Sequence, residues 1–118
     1  MRFVVIGIPY AKKKVRGYVK GPKDWATAIL KQTKGLKVID YPCIFEVRFI
    51  LLANKFPSDL PFGPDLDNLL KHFLDCLQKT CLENDSLIIK LIASKSKIRK
   101  NEKPGAKVMV RSRDSSRR

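Results

Sequence analysis

Five acidic residues, Asp65, Asp67, Asp75, Glu83 and Asp85, fall in one short stretch where only Lys71 and Lys79 answer them. Carboxylates converging on one point raise one another's pKa unless a cation sits among them. Magnesium suits such a set, since it takes carboxylate oxygens and keeps several waters. Softer metals want imidazole or thiolate, and the chain has only His72 and three cysteines without C-x-x-C spacing. Asp65-Leu66-Asp67-Asn68 stands where a loop of three prolines and a glycine (54–64) meets a helical pattern. One reading makes these aspartates caps for free N–H groups at a helix start. The other makes Asp65, Asp67 and Asp85 the ligands of one Mg2+, with Asp85 just before a strand that brings it beside the helix start. Lys71 lies four residues after Asp67 and four before Asp75, which is the spacing of an ion-pair stripe. In a phosphodiester-cleaving site the same ammonium would steady the negative charge that builds on the reacting phosphate. His72, a lone histidine, is assigned to surface or partial packing, since no orienting motif makes a Cys-His pair.

The rest of the chain is strongly basic. Residues 1–38 carry ten Lys/Arg against one acid and residues 86–118 eleven against two, for a formal net charge of +14. Such a surface is built to meet a polyanion, and Lys12, Lys14, Arg16, Lys95, Lys97, Arg99 and Lys100 are the candidates for phosphate contact. A membrane partner would ask for a basic amphipathic helix or a lipidation signal, and neither is present. No apolar stretch approaches the ~20 residues of a membrane span. Phe3–Ile8 is too short for a signal peptide's apolar core and runs directly into Lys12-Lys13-Lys14. Cys43, Cys76 and Cys81 read as reduced thiols, which places the protein in the cytoplasm.

The elements that must position these groups follow from periodicity. Phe3–Ile8 reads as a strand buried on both faces, closed by Gly7 and Pro9. Pro22 opens a helix over about 22–34 that presents Trp25, Ala28 and Ile29, and Gly35 stops it. Between Cys43 and Leu52, alternation of Phe45, Val47, Phe49 and Leu51 predicts a strand with one core face. Leu66, Leu69, Leu70, Phe73, Leu74 and Leu77 give the stripe of an amphipathic helix. A third strand of about 86–96 and an edge-like fourth over 106–111 form a closing hairpin. The chain is thus a single α/β (α+β) domain, residues 1–111. Its order is β-α-β-α-β-β, a mixed sheet covered by two helices, and a flexible basic tail follows at 112–118.

At this point the residues resemble a known family. Asp65-Leu-Asp-Asn-Leu-Leu-Lys71, then Asp75, then Asp85-Ser-Leu-Ile-Ile, is similar to the D-x-D-N-x-x-K…D…D signature of RusA-type Holliday junction resolvases. Gly7-Ile-Pro9-Tyr-Ala-Lys12-Lys-Lys14-Val-Arg16 resembles the family's G-x-P-x-x-K-x-R-P-R opening, and Lys95 falls where the family usually has a lysine. The likeness covers most of residues 3–111. It implies a RusA-like fold and a homodimeric, magnesium-dependent crossover junction endodeoxyribonuclease that nicks four-way DNA junctions in pairs, in recombination and repair. Asp65, Asp67 and Asp85 would hold the metal and Lys71 would be the essential cation. Two departures stand out: Asn84 replaces the first of two adjacent aspartates, and Lys14-Val15 replaces Arg-Pro.

Two other classes compete. A non-catalytic basic nucleic-acid-binding module would use the aspartates only as caps and ion pairs. It would also expose aromatics for stacking, whereas Phe45, Phe49 and Phe73 lie on core faces of the patterns above. An interaction protein binding an acidic partner leaves the D-x-D cluster unexplained.

Overall fold

The computed structural model describes residues 1–11, 20–52 and 65–113. Along the chain run β1 (Arg2–Ile6), α1 (Lys20–Thr33), β2 (Cys43–Leu51), α2 (Leu66–Leu77), a one-turn 3-10 helix (Asp85–Leu87), β3 (Ile88–Lys97) and β4 (Gly105–Ser112). The element order is the expected one, and the architecture is an α+β domain with a four-stranded mixed sheet and two helices. The last strand runs one residue into the segment assigned to the tail, and residues 114–118 lie outside those described.

Strand order is β1-β4-β2-β3, and it corrects two expectations. β1 is an edge strand whose Val4 and Ile6 are 50% and 41% exposed, so it is not buried on both faces. A β-branched run reads the same whether its second face is covered or open. Nor do the last two strands form a hairpin: β4 lies antiparallel between β1 and β2, while β3 pairs parallel with β2 at the far edge. The edge reading of β4 came from Lys107 and Arg111, which face one side only. Its other row, Ala106, Val108 and Val110, is buried and suits an interior strand.

One core cluster joins the sheet to the helices. Phe45, Val47, Phe49 and Leu51 of β2 pack with Trp25 and Ile29 of α1 and with Leu69, Phe73 and Leu77 of α2, all essentially inaccessible. Each such side chain contributes about 1.5–3 kcal/mol by leaving water. Phe73 is the hinge of this packing, with its ring stacked on Trp25 at 6.1 Å and edge-on to Phe49 at 5.5 Å. It is therefore what fixes α2, and with it the acidic helix start, against the sheet.

Two backbone details complete the sheet. Gly105 has φ +156, and a Cβ there would lie 2.0 Å from the Val5 carbonyl oxygen, so this β1–β4 crossing admits only glycine. On the free edge of β1, Gln32 of α1 acts as a substitute strand. Its Oε1 accepts from the Ile6 N–H at 2.8 Å and its Nε2 donates to the Ile6 carbonyl at 2.7 Å.

Candidate metal centre and nucleic-acid surface

α2 begins at Asp65, whose extended backbone makes it the N-cap and whose carbonyl accepts from Leu69 N–H at 2.9 Å. Its side chain makes no capping bond, so the capping expectation is met by the backbone alone. Asp67 sits in the first helical turn, exposed, with Oδ1 accepting the Asn68 N–H at 3.0 Å. Two carboxylates thus stand at the positive end of a helix dipole with oxygens open to solvent. Lys71 is exposed one turn further on, and among the described residues it forms no ion pair with Asp67 or Asp75. The i, i+4 stripe that its spacing allowed is not made, which leaves the ammonium free to meet an anion.

Asp85 is positioned by a different set of contacts. After α2 the Leu77 carbonyl gathers the N–H groups of Thr80, Cys81 and Leu82 at 3.0, 2.9 and 2.9 Å. The segment is then pinned to the approach to β2: Ile39 N–H donates to the Cys81 carbonyl, and Glu83 N–H to the Ile39 carbonyl at 3.0 Å. This holds Asp85 beside the last turn of α2, where its N–H donates to Gln78 Oε1 at 3.2 Å. From Asp67 to Gln78 the helix rises about 16 Å. The structure therefore brings Asp65 and Asp67 together at one end of α2 and sets Asp85 near the other, contrary to the expectation that β3 would carry it to the helix start. Among the described residues no three His, Cys, Asp or Glu side chains group closely enough to hold a metal. The pair alone still fits the chemistry of magnesium, which is commonly held by one or two carboxylates together with substrate phosphates.

Asn84, the departure from the family pattern, has a structural task. Its Oδ1 accepts the Ser86 N–H at 2.8 Å and caps the 3-10 turn that leads into β3. An aspartate could make the same bond, so the turn does not depend on the amide. His72 is buried in α2, deeper than the surface placement assigned to it, because position 72 lies beside Phe73 on the packed side. The three cysteines are free and buried, and burial pushes the Cys43 and Cys81 thiols up.

Of the candidate phosphate contacts, Lys95 and Lys97 lie in register with Phe49 and Leu51, on the helix-covered side and at the C-terminal end of β3. In a β-α-β crossover the helix runs against its strands, so this is the end toward which α2 begins. Arg99 and Lys100 follow in an exposed turn, where the Arg99 N–H donates to Glu102 Oε1 at 2.9 Å. Lys12, Lys14 and Arg16 lie outside the described residues.

Sequence reasoning missed an ion cluster on the open face of the sheet. Arg48 of β2 meets Glu102 at 2.7 Å, and Lys107 of β4 approaches the same carboxylate at 3.5 Å. The Arg99 N–H, together with these two cations, holds the Glu102 carboxyl below the usual range. Alternation put Arg48 on the polar side of its strand, but nothing local in the sequence announced its partner fifty-four residues away.

A basic α+β domain with an aspartate pair opening one helix and a free lysine a turn beyond is a nucleic-acid-processing domain in outline. The comparison with protein families is specific: residues 9–111 match the model described as endodeoxyribonuclease RusA. The chain belongs to the RusA endodeoxyribonuclease family, whose members act on Holliday junctions, and DNA is accordingly its partner. A search of curated proteins finds no match. Among the described residues no helix is long and apolar enough to cross a membrane.

Proposed function

We propose that this protein is a divalent-metal-dependent endodeoxyribonuclease that resolves four-way DNA junctions by paired symmetric nicks, acting as a homodimer in recombination and repair. The observation that carries the reading is the family match over residues 9–111 together with Asp65 and Asp67 at the start of α2 and an unpaired Lys71 one turn on. Asp65 and Asp67 would hold Mg2+ jointly with the scissile phosphate, and Asp85 is the third acid required. When bound, the ion supplies a Lewis acid that neutralises charge developing on the phosphodiester. Lys71 places an ammonium against the same charge and acts as an electrostatic stabiliser, not a proton donor. Lys95, Lys97, Arg99, Lys100, Lys12, Lys14 and Arg16 contact the phosphates of the arms, and each contact adds about −0.9 to the log–log dependence of affinity on salt. A two-fold symmetric junction is matched by a C2 dimer offering two equivalent sites. Three free, buried thiols accord with a reducing cytoplasm.

The test is incubation of the protein with a four-way junction, a duplex and a flap, each with and without magnesium. Symmetric, magnesium-dependent nicks on the junction alone support the reading, and absence of nicks on every substrate overturns it. The distance of Asp85 from the Asp65–Asp67 pair favours one rival, a non-catalytic junction-binding module. That rival predicts tight binding of the junction with no metal-dependent strand scission.

A further inference from the structure

The sheet face turned away from the helices has no covering layer among the described residues, yet it is not a polar face. Val4 and Ile6 are 50% and 41% exposed, and Ile92 is 39% exposed. Register aligns Arg2, Met109, Glu46 and Ile92 in one row across all four strands, with Val4, Lys107, Arg48 and Ser94 in the next. The surface between these rows is concave, with a cavity of about 430 Å³.

Its charges are matched in an unusual way. Arg48 and Lys107 are answered within the face by Glu102 at 2.7 and 3.5 Å. Glu46 and Arg2 are not answered: neither forms an ion pair among the described residues, although Glu46 is partly buried. They stand two strands apart, about 10 Å. A partly buried, unpaired carboxylate in a chain of net charge +14 is costly unless something cationic comes to it.

We infer that two copies of this chain pair through this face, about a two-fold axis lying along β4. Such an axis carries β1 of each copy over β2 of the other, so that Arg2 of each meets Glu46 of the other and Met109 packs on Met109. Lys107 approaches its own copy near the axis with each copy's Glu102 beside it, and Lys90 and Arg111 stand at the end of the face. Nucleic acid fits less well. Val4, Ile6 and Ile92 offer phosphate no donor and bases no aromatic plane, and Glu46 repels a backbone that the basic segments attract.

Three strands at about 4.8 Å spacing and about eight residues at about 3.3 Å give roughly 400 Å² in projection. With side-chain relief the pair buries about 1,000 Å² in total, near the lower bound for specific interfaces, so the dimer is concentration dependent. The inference rests on the proposed function only for the use of two copies, and pairing is measurable without DNA.

Sedimentation velocity of the full chain from about 1 to 100 µM should show monomer passing to dimer. Glu46→Arg and Arg2→Glu should each weaken association at least tenfold, and the double exchange Arg2→Glu/Glu46→Arg should restore it, with far-UV circular dichroism unchanged throughout. A wild-type monomer across that range overturns the inference, as does a folded double variant that fails to regain dimer. A wild-type monomer whose junction affinity rises with Glu46→Arg assigns the face to nucleic acid instead. A dimer that does not nick junctions sinks the functional reading and leaves this pairing standing.

Discussion

Truncating Phe73 to alanine tests whether α2 is held as described. The side chain is fully buried and its ring meets Trp25 at 6.1 Å and Phe49 at 5.5 Å. Removing a buried phenylalanine costs about 3–5 kcal/mol through lost transfer energy and residual cavity. Two aromatic pairs, each worth about 0.5–1.5 kcal/mol beyond burial, put this site in the upper part of that range. A domain of this size has only about 5–15 kcal/mol in all, so Phe73→Ala spends a large fraction of it. Phe73→Leu keeps most of the volume and forfeits the ring pairs, for a cost of about 1–2 kcal/mol. The assay is urea unfolding at 25 °C followed by circular dichroism, with the m-value checked for constancy. Thermal midpoints should fall about 4 °C for each kcal/mol. A loss below about 1 kcal/mol for Phe73→Ala, or equal losses for the two variants, refutes the idea that this ring locks α2 to the sheet.

Asp65→Asn, Asp67→Asn and Asp85→Asn should each abolish magnesium-dependent nicking while junction binding, measured by gel shift, persists or tightens as repulsion with phosphate is relieved. Nicking that survives only in Asp85→Asn would show that the acid at the far end of α2 serves no common ion. Lys71→Ala should slow nicking by about 10²–10³-fold with unchanged unfolding midpoints, since the side chain is exposed and unpaired. Gly105→Ala should destabilise by about 3 kcal/mol or more, because the new methyl meets the Val5 carbonyl and the backbone conformation is strained. The folded state keeps the Cys43 and Cys81 protons when the unfolded chain has lost them, having raised both thiols above their ordinary 9.0. The folded state thus binds more protons in that range, so urea midpoints should hold below pH 9 and fall as pH rises past it; Cys81→Ala should reduce the slope.

Local pattern made the elements legible and left their arrangement hidden. The helical stripe from Leu66 to Leu77 marks α2 residue for residue, and Cys43–Leu51 differs from its expected strand by one position. Both patterns are short-range and carried by side chains the core requires. Strand order is not of that kind: whether Val4 and Ile6 face a helix or the open side depends on where β4 inserts, a pairing a hundred residues distant. The site shows the same division. The D-x-D-N-x-x-K string could be read because its spacing lies on one helix. The place of Asp85 is set by hydrogen bonds among Ile39, Cys81 and Glu83, which no periodicity encodes.

The insertion of β4 between β1 and β2 also governs how the protein comes into being. β1 pairs only with residues 105–109, so the first strand synthesised has no sheet partner until the final one leaves the ribosome. β2 and β3 can associate earlier through their local crossover, but half of the core waits for the end of synthesis. Sequence separation of this kind slows folding and prolongs exposure of apolar strands. A chain stopped short of Gly105 would be a two-stranded remnant with β1 unattached, and the nuclease domain is assembled all at once or not at all.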